Sequence, residues 1–343
     1  MIHPPVLMHM ADALLAPGVG LAMLAVSLCA IAYSVYRIRK DNTLTDQKVP
    51  VMAVMAAFVF AAQMINFTIP GTGSSGHLCG GMILASVLGP FPAVLSLSAV
   101  LLIQCLFFAD GGLLAIGCNV FNMALCAILI AYPLIYKPIM KKGFSATRAF
   151  VASILACEVG LQLGAFCVVL ETMISGITAL PFATFVALMQ PIHLAIGLVE
   201  GIITALVVIF IHSTRPELLD TALQNKAPSG VSVKKVVVIL AAVVVVVAGA
   251  LSLIASSNPD GLEWAIQGIT GDTEIEAQYE DAAEVAGSIV DSTAFLPDYA
   301  FANDEENPLG TTVSGLVGSA ICVVLAGGTA WAISSTKKRA KTA

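Results

Sequence analysis

Apolar residues run along this chain in long, nearly unbroken blocks. A helix needs about 20 such residues to cross the ~30 Å hydrocarbon core of a bilayer. Blocks of that kind cover residues 18–36, 49–67, 112–132, 146–170, 185–211, 236–255 and 313–333. The stretch 78–108 is also apolar but is cut by Gly89-Pro90-Phe91-Pro92. It reads as two short spans meeting at that break, or as a re-entrant pair. Taken as two spans, it makes an all-α polytopic membrane protein of about nine transmembrane helices.

Composition agrees. The 343 residues are 58 % hydrophobic and only 11 % charged, with a mean hydropathy of +0.93. A soluble domain carries about 25 % charged residues, so a cytosolic enzyme and a disordered scaffold are excluded. The net charge of −6 argues against a nucleic-acid partner and leaves membrane lipid as the medium. The eight cysteines are scattered through apolar blocks without a CxxC spacing, so they read as small core residues.

The basic residues fix the expected orientation. All sixteen Lys and Arg fall in four clusters: Arg37 to Lys48, Lys137 to Arg148, Arg215 to Lys235, and Lys337 to Lys341. Nine spans put all four on one face, which the positive-inside rule makes cytoplasmic. The N-terminus is then outside and the C-terminus cytoplasmic. On the opposite face lies 256–311, with thirteen acidic residues and no basic one. It reads as a solvated loop or as a collector of cations, since a field of one sign raises local counter-ion concentration. A linker at 221–235, rich in Pro, Gly and Ser at its centre, separates a seven-span unit, 8–220, from a two-span unit, 236–343.

Polar groups at membrane depth are functional candidates by default. They cluster at Met8-His9-Met10-Ala11-Asp12, at Asn66 to Gly81 around His77, and at Gln104 to Met123, all on the outer side. A fourth group, His193 with Gly197, Glu200 and Gly201, lies inside the seventh span. There His193 reads as a polar residue satisfied within the bundle, paired with Glu200. The fifth is Pro259-Asp260-Gly261-Leu262-Glu263 in the acidic loop.

These runs carry a resemblance. Met8-His9-Met10-Ala11-Asp12, the GTGSSGHLCGG run around His77, the stretch from Gln104 through Phe108-Ala109-Asp110-Gly111-Gly112 to Asn119 and Asn122-Met123, and His193 with Gly197, Glu200 and Thr204 are similar to the nickel/cobalt substrate-binding subunit of energy-coupling-factor transporters, the CbiM/NikM family. The segment around Pro259-Asp260-Gly261-Leu262-Glu263 and the later Pro297-Asp298-Tyr299 resemble the PDGLE/NikN-type accessory module that is often fused to it. The resemblance implies a membrane subunit that captures Ni2+ or Co2+ as transported substrate, with nickel favoured by the tail. It implies a prokaryotic cell-membrane location. The expected partners are a transmembrane coupling subunit of the CbiQ/NikQ type and cytoplasmic ATPases of the CbiO/NikO type. The chain itself has no GxxxxGK[ST] phosphate loop, so it is not expected to be an enzyme.

In that family the metal is held by nitrogen alone. Carried over residue by residue, the ligands are the Met8 α-amine, the His9 amide and imidazole, and the His77 imidazole. Four nitrogens in a plane suit Ni(II), and Cu(II) equally on geometry. Asn66, Thr68, Gln104, Asp110 and Asn119 are expected around them as hydrogen-bonding support. None of these residues belongs to the acidic two-span unit. Two other classes of function were weighed. A membrane-embedded enzyme using His193 and Glu200 lacks an HExxH-type pairing, and an ion-driven secondary transporter would favour an inverted repeat that is not found.

Residues 1–7 precede the expected start, and an amine locked in a peptide bond cannot bind metal. They are too short and too weakly apolar for a cleavable signal peptide, so 1–7 are expected to be a non-native extension. Intact mass of protein expressed from its native start is expected to show a chain beginning at Met8. A chain held to start at Met1 is expected to bind metal weakly, or through Met1-Ile2-His3 independently of His77. A Met1 chain that still needs both His9 and His77 would rule out the amine as a ligand.

Overall fold

The computed structural model describes residues 9–45, 47–224, 233–304, 307 and 309–342. Six helices are long and apolar enough to cross a membrane: α1 (Pro17–Asp41), α4 (Pro90–Phe108), α5 (Ile116–Met140), α6 (Ala146–Ile174), α7 (Phe182–Thr214) and α12, which crosses as Leu309–Ser335. The other three expected spans are shorter helices: α2 (Lys48–Gln63), α3 (Gly81–Leu88) and α9 (Lys234–Gly249). At 1.5 Å per residue, α3 reaches only about 12 Å. The 78–108 stretch is therefore a short arm followed by one full-length helix. Between them Gly89 adopts φ +80°, a value open to glycine, and Pro90 then starts α4 at a position where its missing N–H costs nothing. The smaller helices α8 (Pro216–Leu223), α10 (Gly261–Thr270) and α11 (Glu280–Thr293) lie outside the long ones in sequence.

Not everything is helical. Phe67–Ile69 (β1) and Ser74–Gly76 (β2) pair antiparallel, Phe67 opposite Gly76, in a hairpin that carries the chain into His77. The apolar block 49–67 ends earlier than expected for this reason.

Burial separates the helices by role. α2 is apolar on every side and almost wholly buried, as a helix without a polar face must be. α4, α9 and α12 pack around it. Small residues permit the close approach, as in many membrane bundles: Gly318 of α12 lies against the rings of Phe60 and Phe108, and Gly315 against Ala248 of α9. The two-span unit is thus built into the bundle through α2. By contrast α1 presents Leu21, Val26, Leu28 and Tyr36 outward.

The bundle has two chemically different ends. At one, the Arg37 guanidinium lies 4.7 Å from the Phe91 ring centre, Phe144 stacks on His212, and Arg37, Lys137 and Gln224 border one cleft. At the other lie His9, the hairpin and the acidic segment.

Where α1 crosses the start of α5, the Ser27 hydroxyl donates to the Gly117 carbonyl at 2.7 Å. A Cβ at Gly117 would fall on the backbone of Leu24. Backbone cannot swing aside as a side-chain tip can. Gly117→Ala is expected to destabilise by about 1–3 kcal/mol, the usual cost of overpacking, read as a lower midpoint in detergent thermal unfolding.

Candidate functional site

His9 is 4 % exposed. Its ring meets the side-chain oxygen of Gln104, with Nε2 to Oε1 at 3.1 Å. An amide oxygen only accepts, so with Gln104 in this orientation Nε2 is the donor, and in the neutral imidazole Nδ1 keeps its lone pair. That Nδ1 is buried and has no hydrogen-bond partner among the described residues. Asp110 Oδ1 stands 3.6 Å from it, too far for a hydrogen bond but close for a charge.

The segment after His9 is held like a strand. The Met10 N–H donates to Asn119 Oδ1 at 3.0 Å, and Asn119 Nδ2 donates back to the Met10 carbonyl at 3.1 Å. The Gly112 N–H donates to the same carbonyl. Asp12 Oδ1 accepts from the Ala115 N–H at 2.9 Å. Burial raises the Asp12 carboxyl above its ordinary pKa, and the backbone donors at 113–115 oppose that shift.

His77 comes from a different part of the chain and stacks on His9, ring centres 5.4 Å apart and planes 26° apart. Its Nδ1–H donates to the Leu78 carbonyl at 3.1 Å, so Nε2 holds the lone pair. The loop behind it is clamped on two sides. Glu200 in α7 accepts from the Cys79 and Gly80 N–H groups, each at 2.9 Å. Gln63 at the end of α2 donates to the Cys79 carbonyl at 2.9 Å. Gly80 has φ +78°, and a Cβ there would run into Val59. The seventh-span carboxylate is thus the anchor of the histidine loop and does not pair with His193. His193 instead donates from Nδ1 to the Met189 carbonyl at 2.8 Å.

The acidic segment closes the site from above. Ser75 donates its N–H to the Pro259 carbonyl and its hydroxyl to the Asn258 carbonyl, both at 2.8 Å. The Trp264 indole N–H reaches the Thr72 carbonyl at 2.9 Å. Asp260 then caps α10: its Oδ1 accepts from the Leu262 and Glu263 N–H groups, and Glu263 accepts from the Asp260 N–H, a reciprocal capping box. The other oxygen of Asp260 lies 3.9 Å from His77 Nε2. A Cβ on Gly261 would meet Ile196 and the His193 ring. The Asp-Gly-Leu-Glu run is therefore a helix start that places one carboxylate against His77 and its backbone against α7. Burial raises the Asp260 pKa, and the backbone N–H groups of Leu262 and Glu263 oppose that shift.

Farther along the same segment, the Tyr299 hydroxyl donates to Asp110 Oδ2 at 2.5 Å. Burial, and next the Asp110 charge, push its phenol well above its ordinary pKa, so it remains a donor. A cavity of about 90 Å³ opens between these groups, bordered by His9, His77, His193, Asn119, Asn122 and Asp260.

Of the residues expected at the site, His9, His77, Gln104, Asp110 and Asn119 come together here. Asn66 and Thr68 do not. The Asn66 carbonyl accepts from the Ser256 N–H, and the Thr68 hydroxyl donates to Ser256 Oγ. These two fasten the acidic segment to the hairpin. Met8 lies outside the described residues. The parts that sequence reasoning missed are Asp260 and Tyr299. Both sit in runs that had been singled out, but their partners are more than 180 residues away in the chain.

A profile described as cobalt uptake substrate-specific transmembrane region matches residues 9–218, and one described as PDGLE domain matches residues 234–335. The fused nickel transport protein NikMN of Rhodobacter capsulatus is 30 % identical, over 92 % of this chain and 95 % of its own length. A protein of Archaeoglobus fulgidus that also bears the NikMN designation is 32 % identical over 93 % of this chain and 96 % of its own. A crystal structure of a truncated transition metal transporter superposes with a TM-score of 0.53 at 30 % identity, covering 60 % of this chain and 99 % of that one.

Glu200→Gln tests the clamp. Its amide oxygen can accept from only one of the two backbone donors, and a buried donor left unpaired costs about 1–3 kcal/mol. The expected outcome is a lower unfolding midpoint with faster hydrogen exchange at Cys79 and Gly80.

Proposed function

The chain belongs to the cobalt-uptake substrate-specific transmembrane family, with a PDGLE domain fused behind it, and from that premise we propose that it captures Ni(II) or Co(II) outside a prokaryotic cell, nickel by preference, as the substrate-binding subunit of an energy-coupling-factor transporter. The observation that carries this reading is the buried Nδ1 of His9, which has no hydrogen-bond partner among the described residues. A proton-free imidazole nitrogen buried without a hydrogen-bond partner is costly unless something binds it, and a borderline transition-metal ion is the ligand that imidazole suits best.

The donor set fits. In a chain that begins at Met8, the α-amine, the deprotonated His9 amide and His9 Nδ1 form a five- and a six-membered chelate ring. The Nδ1 position is the one that closes the six-membered ring, and it is the nitrogen that Gln104 leaves proton-free. His77 Nε2 supplies the fourth nitrogen. Metal-bound histidines commonly donate their other N–H to an oxygen acceptor, which fixes ring and tautomer. Gln104 and Leu78 serve here. The two carboxylates nearest the rings, Asp110 and Asp260, balance the charge of an ion taken out of water.

A second cavity of about 60 Å³ also borders His9, with Glu263 and Glu274 on its wall. We assign it as the way in, fed by the exposed acids of the segment. On this reading the basic end of the bundle lies in the cytoplasm, where a transmembrane coupling subunit and separate ATPases supply the energy. The chain itself carries no reaction.

Equilibrium dialysis of purified protein against Ni(II) tests the site. His9→Ala and His77→Ala are each expected to abolish high-affinity binding, because the first removes a ring-closing donor and the second opens the plane. His193→Ala is expected to be much milder. Affinity is expected to fall on acidification, because protons compete for imidazole nitrogens. Near wild-type stoichiometry in either ligand variant would exclude the assignment.

A further inference from the structure

Tyr299 reaches from the PDGLE module to Asp110, the carboxylate beside His9. It is 6 % exposed, and its ring stacks on Phe108 with centres 5.0 Å apart and planes 17° apart. Its hydroxyl meets Asp110 Oδ2, while the opposite oxygen of that carboxylate faces His9 Nδ1 at 3.6 Å. The chain goes to unusual lengths to deliver this side chain. Asp298 and Tyr299 both adopt positive φ, +51° and +59°, a conformation that is a genuine outlier for a bulky residue. A tyrosine needed only to fill space would not require a strained backbone and a buried carboxylate at its tip.

We infer that Tyr299 is a positioning residue of the metal site: through its hydrogen bond to Asp110 the accessory module sets the carboxylate that faces the His9 ligand nitrogen. A carboxylate has two oxygens and one rotatable bond to its chain. With Oδ2 pinned by the phenol, Oδ1 is held toward Nδ1. Without the phenol, Oδ2 loses that donor and the carboxylate is held less firmly toward the ion it should compensate. The inference rests on the metal-capture reading above. It gives the module a direct role in binding, where the sequence placed none of the site in the two-span unit.

The test uses the full chain and compares four proteins: wild type, Tyr299→Phe, Asp110→Asn and the double variant. Each is titrated with Ni(II) by equilibrium dialysis, and the Ni(II) d–d absorption is recorded at saturation. Phe keeps the ring against Phe108 and removes only the hydroxyl. Tyr299→Phe is expected to weaken binding by about tenfold or more, the usual effect of losing an outer partner of a metal ligand, and to shift the absorption band at unchanged stoichiometry. In the Asp110→Asn background the same change is expected to have little further effect on either readout. An equal loss in both backgrounds would mark general loosening of the fold and overturn the inference, even if the variants are less stable. A Tyr299→Phe protein with wild-type affinity and spectrum would also overturn it while leaving the metal site standing. A wild-type protein that binds no Ni(II) would overturn both.

Discussion

A buried imidazole can serve as a ligand only while one of its nitrogens is free of its proton, and the outer end of this bundle is organised around that condition. Gln104 takes the N–H of His9 on one side and the Leu78 carbonyl takes the N–H of His77 on the other. Neither acceptor stands alone. Leu78 belongs to a loop whose next two N–H groups are held by Glu200 and whose Cys79 carbonyl is held by Gln63. Asn119 fixes the backbone beside His9. Helices α2, α4, α5 and α7 therefore each contribute one polar side chain to the orientation of two rings. In so apolar a bundle, each of those groups is expensive to bury and stays only because it is paired.

The same economy explains the accessory module. Its two helices both pack against α2, the second of them through Gly318 and Gly327, which leaves its outer segment able to reach the site. The segment is tied to the hairpin by backbone pairing through Ser75 and by the Trp264 indole, then delivers Asp260 toward His77 and Tyr299 toward Asp110. Each carboxylate lies near one imidazole, so on the proposed reading both compensate a cation held between the rings. Any group that binds better when the segment is docked must in turn favour docking, by thermodynamic reciprocity. A module that faces His77 directly through Asp260 and His9 through Asp110 is well placed for that coupling.

Much of the bundle was legible from runs of apolar residues, because a membrane helix must be apolar over its whole length and few other structures are. The hairpin at 67–76 was not, since two three-residue strands rich in Ser and Gly carry no period that could be read. Among the site residues, Gln104, Asp110 and Asn119 could be picked out as buried polar groups in one short run. Asn66 and Thr68 looked equivalent by their nearness to His77 in sequence, yet the hairpin turns them toward Ser256. His193 and Glu200 shared a helix and so suggested a pair. Their real partners are a carbonyl four residues back and two amides from a distant loop. Contacts across more than a hundred residues leave no local signal. Tyr299 is the extreme case, since nothing near Pro297-Asp298-Tyr299 points to Asp110.

The acidic segment divides its charges by depth, and the division has a physical consequence. Asp260 and Glu263 are buried at the start of α10, whereas Asp272, Glu274, Glu276, Glu280, Asp281 and Glu284 are exposed. Exposed charges are screened over about 8 Å at physiological ionic strength. They can raise the concentration of divalent ions at the mouth of the site but add little to the energy of an ion already inside. Buried charges act in a medium of lower dielectric, where a single carboxylate a few ångströms away counts for much more. On the proposed metal-capture reading, arrival and retention of the ion therefore fall to different residues: the exposed acids of the segment to the rate of encounter, and buried Asp260, with Asp110 held by Tyr299, to how firmly the ion is kept.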